Sequence, residues 1–286
     1  MKQGCDEHII EAIGKCRIVI QDGHVVEVGD PVIADCPLAK RFAYPIPAIT
    51  KDAVKANIEH RIRSFGMCTE RRDVIDQREF VGFGASELLS FGIGAGLIDA
   101  AVLACDGAGT VIATSPGLVQ GIGGRMSGLV STCPIPAVMD RIEENGGIVI
   151  DRKTARIDQP AGVDLAVARK FHRIAVTVAD PQTAERIRSS HPDTLVVAVH
   201  VSGLSSESAR RLVAASDLVT SCASRPIREF AGAGALVQAG TAIPVFAMTT
   251  KGKHLIVEKM AHSPEPFLVK TTKLPVAGDA QPQPLV

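Results

Sequence analysis

The chain has no tryptophan, one tyrosine (Tyr44) and nine phenylalanines in 286 residues. So few aromatic faces leave little on which unpaired bases could stack, as binders of single-stranded nucleic acid require. Charge of one sign is not in excess either: 31 basic residues balance 31 acidic ones, which gives no electrostatic reason to expect a nucleic-acid or acidic-membrane partner. No run of about 18 apolar residues occurs, and residues 1–7 carry no apolar signal core. A soluble, cytoplasmic protein is therefore expected. The phosphate-binding G-x-x-x-x-G-K-[ST], the zinc-protease H-E-x-x-H and the G-x-S-x-G elbow are all missing. Ordinary nucleoside triphosphatase, zinc protease and serine hydrolase chemistries lose weight accordingly.

What is present centres on residues 99–128. Two apolar runs, 100–105 and 110–113, flank Asp106-Gly107-Ala108-Gly109, the pattern of a strand, a glycine turn and a second strand. A second glycine cluster follows, Gly121-Ile122-Gly123-Gly124, with Arg125 directly after it. Glycines let the backbone approach a ligand closely, and successive free N–H groups can cradle an anion. Asp106, Gly107, Gly109, Gly121, Gly123, Gly124 and Arg125 are therefore candidate ligand-binding residues. The alternative is a hairpin and an irregular connection without a ligand.

Residues 1–80 read as a small N-terminal domain. Residues 8–13 have the pattern of a short helix, with Asp6 as cap. Strands 17–20 and 24–28 form a hairpin about Asp22-Gly23, and a helix runs from Thr50 to about Phe65, ended by Gly66. The polar stretch 71–79 is the expected boundary. Residues 81–262 then alternate helix and strand: helix 135–144, strand 148–150, helix 162–171, strand 173–179, helix 181–189, strand 194–201, helix 205–215, strand 217–222, helix 226–238 and strand 243–248. Residues 254–259 are expected to add an edge strand. Such alternation predicts an α/β fold with a doubly wound, mostly parallel, Rossmann-like sheet. Residues 263–286, with Pro275, Pro282 and Pro284, read as an extended C-terminal arm.

Ligands of open α/β sheets bind beyond the carboxyl ends of the strands. Those ends bring up Cys105-Asp106, Asp151, Asp180, His200 with Ser202, Cys222 with Ser224, and Thr249-Thr250. Asp180 precedes Pro181 and reads as a helix cap. His200 is the candidate acid/base and Cys222, near a helix start, the candidate nucleophile. The seven cysteines (5, 16, 36, 68, 105, 133 and 222) are odd in number and widely spaced, which suits thiols or metal ligands in a reducing compartment better than a disulfide framework. Cys16, Cys36 and Cys68 fall at element ends or in loops, where a thiolate can reach a metal, and Cys-Pro recurs among iron–sulfur ligands. Burial as ordinary apolar side chains is the competing reading.

The segments D-E-H-I-I-E-A-I-G-K-C-R-I-V-I (6–20), Cys36-Pro37-Leu38, F-G-M-C-T (65–69), C-D-G-A-G-T-V-I (105–112) and L-V-Q-G-I-G-G-R-M-S-G-L-V (118–130), with A-V-H-V-S-G-L (198–204), D-L-V-T-S-C-A-S (217–224) and Q-A-G-T-A-I-P-V-F-A (238–247), resemble the methanogenesis marker protein 8 family of methanogenic archaea. The resemblance runs along nearly the whole chain. It implies an anaerobic archaeal cytosol and genes found with methyl-coenzyme M reductase, but no reaction. Three readings follow. One is a methanogenesis accessory protein that binds a metal or iron–sulfur cluster through Cys16, Cys36, Cys68 and Cys105 and partners methyl-coenzyme M reductase or its maturation factors. Another is a Rossmann-like enzyme with a small anionic ligand at the glycine loops. The third is a non-catalytic scaffold. A homo-oligomer is compatible with each.

Overall fold

The computed structural model describes residues 6–125 and 128–286; Cys5 lies outside them. A four-stranded antiparallel sheet is built from β1 (Glu7–Glu11), β2 (Arg17–Gln21), β3 (His24–Val28) and β6 (Gly128–Ser131), in the order β3-β2-β1-β6. The β2–β3 turn holds Asp22 and Gly23 at φ +50° and +70°, the left-handed pair that matches strand twist in a two-residue hairpin. The expected helix at 8–13 is instead β1. Ile10 is fully buried and pairs with Ile18 on one side and Leu129 on the other. Pairing on both edges overrides the local pattern, and one partner lies more than a hundred residues away. Because β6 comes from beyond residue 80, the small sheet is not made by the N-terminal segment alone. Helix α1 (Lys51–Phe65) covers it as expected: Thr50 caps its start, left-handed Gly66 (φ +74°) ends it, and Val54, Ile58 and Ile62 face the sheet.

The larger sheet has eight strands, β4 (Ala100–Cys105), β5 (Gly109–Ala113), β7 (Ile148–Val149), β8 (Ile174–Val178), β9 (Leu195–Ala198), β10 (Leu218–Thr220), β11 (Val237–Ala239) and β12 (Val245–Ala247). Their order is β11-β12-β10-β9-β8-β4-β5-β7. The four central strands β10, β9, β8 and β4 run parallel, while every pairing outside them is antiparallel. The sheet is therefore mixed rather than mostly parallel: β5 returns from β4 through a hairpin, and β12 returns from β11 through a turn, where a doubly wound sheet would use crossover helices. Two apolar clusters lie on its two faces. Helices α5 (Gln159–Ala168), α6 (Pro181–Ser190), α7 (Ser206–Ala215) and α8 (Arg225–Gly234) follow the alternation read from the sequence. Helices α2 (Ala85–Gly94), α3 (Pro116–Ile122), α4 (Pro136–Glu144) and α9 (Thr250–His262) complete the set described.

Residues 254–259, expected as an edge strand, belong to α9. Thr249 caps its start and Gly252, Leu255, Ile256 and Lys259 are buried at helical spacing. Among the described residues no helix is long and apolar enough to cross a membrane. The C-terminal arm is extended and laced to both parts of the molecule. Val276 exchanges hydrogen bonds with the Gln238 side chain, Gln283 pairs with Asp35, and the Val286 amide donates to the Ala223 carbonyl.

A buried ion pair joins the two sheets at the β4–β5 turn. Arg72 and Asp106 are both fully buried, with Nε 2.9 Å from Oδ1. Asp106 also accepts from the Cys68 amide at 2.6 Å, and Arg72 donates to the carbonyls of Gly121 and Asp73. Burial alone would raise the Asp106 pKa, but the Arg72 charge and these hydrogen bonds hold it below the ordinary carboxylate value. A lowered folded pKa means the contribution is complete above about pH 4 and is lost as pH falls through the folded value. Asp106→Asn leaves a buried guanidinium without its counter-charge and is expected to cost about 3–5 kcal/mol, read as the urea midpoint at pH 7. The wild-type advantage should shrink in acid.

Candidate functional site

A cleft of about 1430 Å³ opens beyond the carboxyl ends of β4, β8, β9 and β10, between the larger sheet and α1 with the small sheet. This is above the usual range for small-molecule pockets and lies where open α/β sheets bind ligands. Ala179 and Asp180 follow β8 into it, His200 follows β9, and Thr220 and Cys222 come from the end of β10. The opposite wall carries Arg41, Phe42, Tyr44, Asn57, His60 and Arg61. Tyr44 stacks on His60 with ring centroids 5.3 Å apart, and the Arg61 guanidinium lies 5.1 Å from the Phe42 ring centre. Burial and the like charge of Arg72 push the Arg61 pKa down to about 10, so it stays a cation at neutral pH.

The charges of the cleft are unequally engaged. Four carboxylates line it, and each has local work. Glu11 sits 3.9 Å from Lys15, and burial raises its pKa more than Lys15 lowers it. Glu87 accepts from the Phe80 amide and from Gln120. Asp158 and Asp180 cap α5 and α6. Lys15 also donates to the Ser202 carbonyl across the cleft, at 2.6 Å. By contrast Arg41 and Arg186 make no ion pair among the described residues, and both are exposed to the cleft. Arg41, Arg61 and Arg186 belong to none of the sequence motifs, and only the fold brings them to one cavity with Lys15.

The predicted pair His200 and Cys222 does line this cleft. Both occupy the left-handed region, at φ +56° and +44°, where residues with a Cβ are uncommon and strain collects at functional sites. The His200 ring surface is open to the cleft, yet the walls around it push its pKa down to about 4. With its pKa lowered this far, the imidazole is neutral at pH 7.

The glycine loops separate from one another. Asp106, Gly107 and Gly109 form the buried turn of the ion pair: the Gly107 amide donates to Thr132 Oγ1 at 2.8 Å, and a Cβ on Gly109 would meet the Ala155 carbonyl oxygen at 2.1 Å. Gly121 packs against the Val74 backbone, where a Cβ would stand 2.2 Å from the carbonyl oxygen. The cluster around Gly121 is the end of α3, not an irregular connection. Only Gly123, Gly124 and Arg125 reach the cleft wall. Arg125 is already held by Asp76 at 2.6 Å and Asp73 at 3.0 Å, over the Phe65 ring. Its charge is spent on that contact.

The four cysteines proposed as metal ligands do not converge. Cys16, Cys36 and Cys68 belong to the core of the small sheet and Cys105 to that of the larger one, with Cys68 and Cys105 beside the Arg72–Asp106 pair. All four are buried, and burial raises each thiol, Cys16 to about 11. Cluster ligands are thiolates, and among the described residues no group of three or more His, Cys, Asp or Glu is arranged to hold a metal. Cys133 is disulfide-bonded, where a thiol or a metal ligand was expected.

Arg125→Ala should act on stability rather than on ligand affinity. Loss of its charge-assisted bonds is expected to cost about 1.5–3 kcal/mol, seen as a lowered unfolding midpoint with the cleft's anion affinity retained.

Sequence comparison places these features in an archaeal setting. A family described as uncharacterized protein conserved in archaea (DUF2099) matches residues 8–261. An uncharacterized protein of Methanocaldococcus jannaschii is 41% identical over 284 residues, covering 98% of this chain and 100% of that protein. No solved structure matches. The match spans the small sheet, the mixed sheet and every cleft-lining residue named above: the chain belongs to the archaeal DUF2099 family.

Proposed function

We propose that this protein receives a small anionic, partly apolar molecule in the cleft at the carboxyl ends of the central strands. The observation that carries this reading is the imbalance of engaged charge. Glu11, Glu87, Asp158 and Asp180 are committed to neighbours, whereas Arg41 and Arg186 have no acidic partner among the described residues. Arginine forks suit carboxylate or phosphate groups, and the Tyr44–His60 stack and Phe42 supply a flat wall for the rest of the ligand. His200, kept neutral, adds a hydrogen-bonding group on the sheet side. The finer assignment to the methanogenesis marker protein 8 family, and with it an accessory role for methyl-coenzyme M reductase, rests on the sequence resemblance. The cluster-binding part of that role gains no support from the cysteine positions, and the cleft is the better-founded site.

The test is thermal unfolding against a panel of small carboxylates and phosphates paired with neutral amides and alcohols of the same size. Some anions should raise the midpoint, and their neutral partners should not. Arg41→Gln and Arg186→Gln should each weaken the best anion by about 1.5–3 kcal/mol, about tenfold or more in Kd. Equal response to charged and neutral compounds would contradict the reading.

A further inference from the structure

Among the described residues Cys222 is the one cysteine that lines the cleft. Of the five free cysteines described, it alone is not buried. Its left-handed backbone (φ +44°) is tied on every side. The Ser221 amide donates to the Pro244 carbonyl, the Ala223 amide to Ser202 Oγ at 3.1 Å, and the Val286 amide to the Ala223 carbonyl. Arg228 closes the arrangement, its Nη2 donating to the carbonyls of Cys222 at 2.8 Å and Ala242 at 2.9 Å. A backbone strained at one residue and over-determined by its neighbours is what holds a reactive side chain in place.

Arg228 itself is the second observation. The residue is 8% exposed, its other partner is the neutral Gln281, and its Nε has no hydrogen-bond partner. Among the described residues no carboxylate pairs with it. A buried guanidinium without a counter-ion is costly. Burial works against its charge, and negative charge on Cys222 or Cys36 works for it.

We propose that Cys222 is a nucleophile toward an electrophilic carbon carried by an anionic ligand of this cleft, with Arg228, bound to the Cys222 carbonyl, as its positioning residue. In that step the Cys222 Sγ forms a bond to the carbon, and the bond from carbon to the leaving group breaks with its electron pair. The thiol proton passes to water of the cleft. No oxidant or reductant is needed. The inference rests on the anionic-ligand reading for its choice of substrate, though not for the reactivity of the thiol.

The experiment is alkylation of the whole protein with iodoacetate and, separately, iodoacetamide, with sites mapped by mass spectrometry and glutathione as the reference thiol. Cys222 should be modified first by both reagents. At Cys222 the ratio of iodoacetate to iodoacetamide rates should exceed that of glutathione by about tenfold, the worth of one charge-assisted contact. Arg186→Gln should reduce that ratio. Arg228→Gln should slow both reagents, and Arg228→Lys should restore much of the rate, which a role in folding alone would not produce at unchanged circular dichroism. Cys222 reacting no faster than glutathione with iodoacetamide in the wild-type protein overturns the inference, whether or not the Arg228 variants fold. A fast Cys222 without the iodoacetate preference overturns instead the anionic choice of ligand and leaves the nucleophile standing.

Discussion

The Arg72–Asp106 pair is the contact on which the arrangement of the molecule depends. It sits where the β4–β5 turn meets the loop that follows α1, with both side chains out of water. The same guanidinium reaches the carbonyl at the end of α3, and the same carboxylate takes the Cys68 amide. Three separate segments of the chain are therefore referenced to two side chains. Desolvating such a pair is costly, and the cost is recovered only when every donor and acceptor is met in fixed geometry. That requirement sets how the small sheet lies on the large one, and hence the width of the cleft between them.

The cleft has two kinds of wall. On the sheet side, the parallel strands end together, and the chain turns sharply at His200 and Cys222 into left-handed conformations. On the other side, α1 and the loop carrying Arg41 present aromatic rings and cations. The C-terminal arm binds both sides at once, through Gln283 at Asp35 and Val286 at Ala223. Strain at the strand ends is thus supported from outside the sheet, by residues of the arm and by Arg228.

Local signals in the sequence were legible wherever short-range chemistry decides the structure. Asp22-Gly23 turned as a hairpin, Thr50 and Gly66 bounded α1, and α6 and α7 fell where helix caps and apolar spacing put them, while α5 begins three residues early and the helix read over 226–238 stops at Gly234, short of β11. Strand ends pointed to His200 and Cys222, and both reached the cleft. The misreadings share one cause. β1 takes its character from two strands, one of them β6, that no local window contains. Asp106 looked like a ligand group because its true partner, Arg72, lies 34 residues earlier. Arg125 looked available because Asp73 and Asp76 are some fifty residues away in sequence. Arg41, Arg61 and Arg186 carry no local pattern at all, since a cavity assembled from three distant segments leaves no trace in any one of them.

The central claim, that unpaired cationic groups make this cleft an anion site, is most directly tested by anomalous scattering from crystals soaked briefly in bromide. The account predicts bromide ions inside the cleft against Arg41 or Arg186, and none held by Arg125, whose charge Asp73 and Asp76 already satisfy. Bromide confined to the outer surface, with the cleft arginines bare, would contradict it.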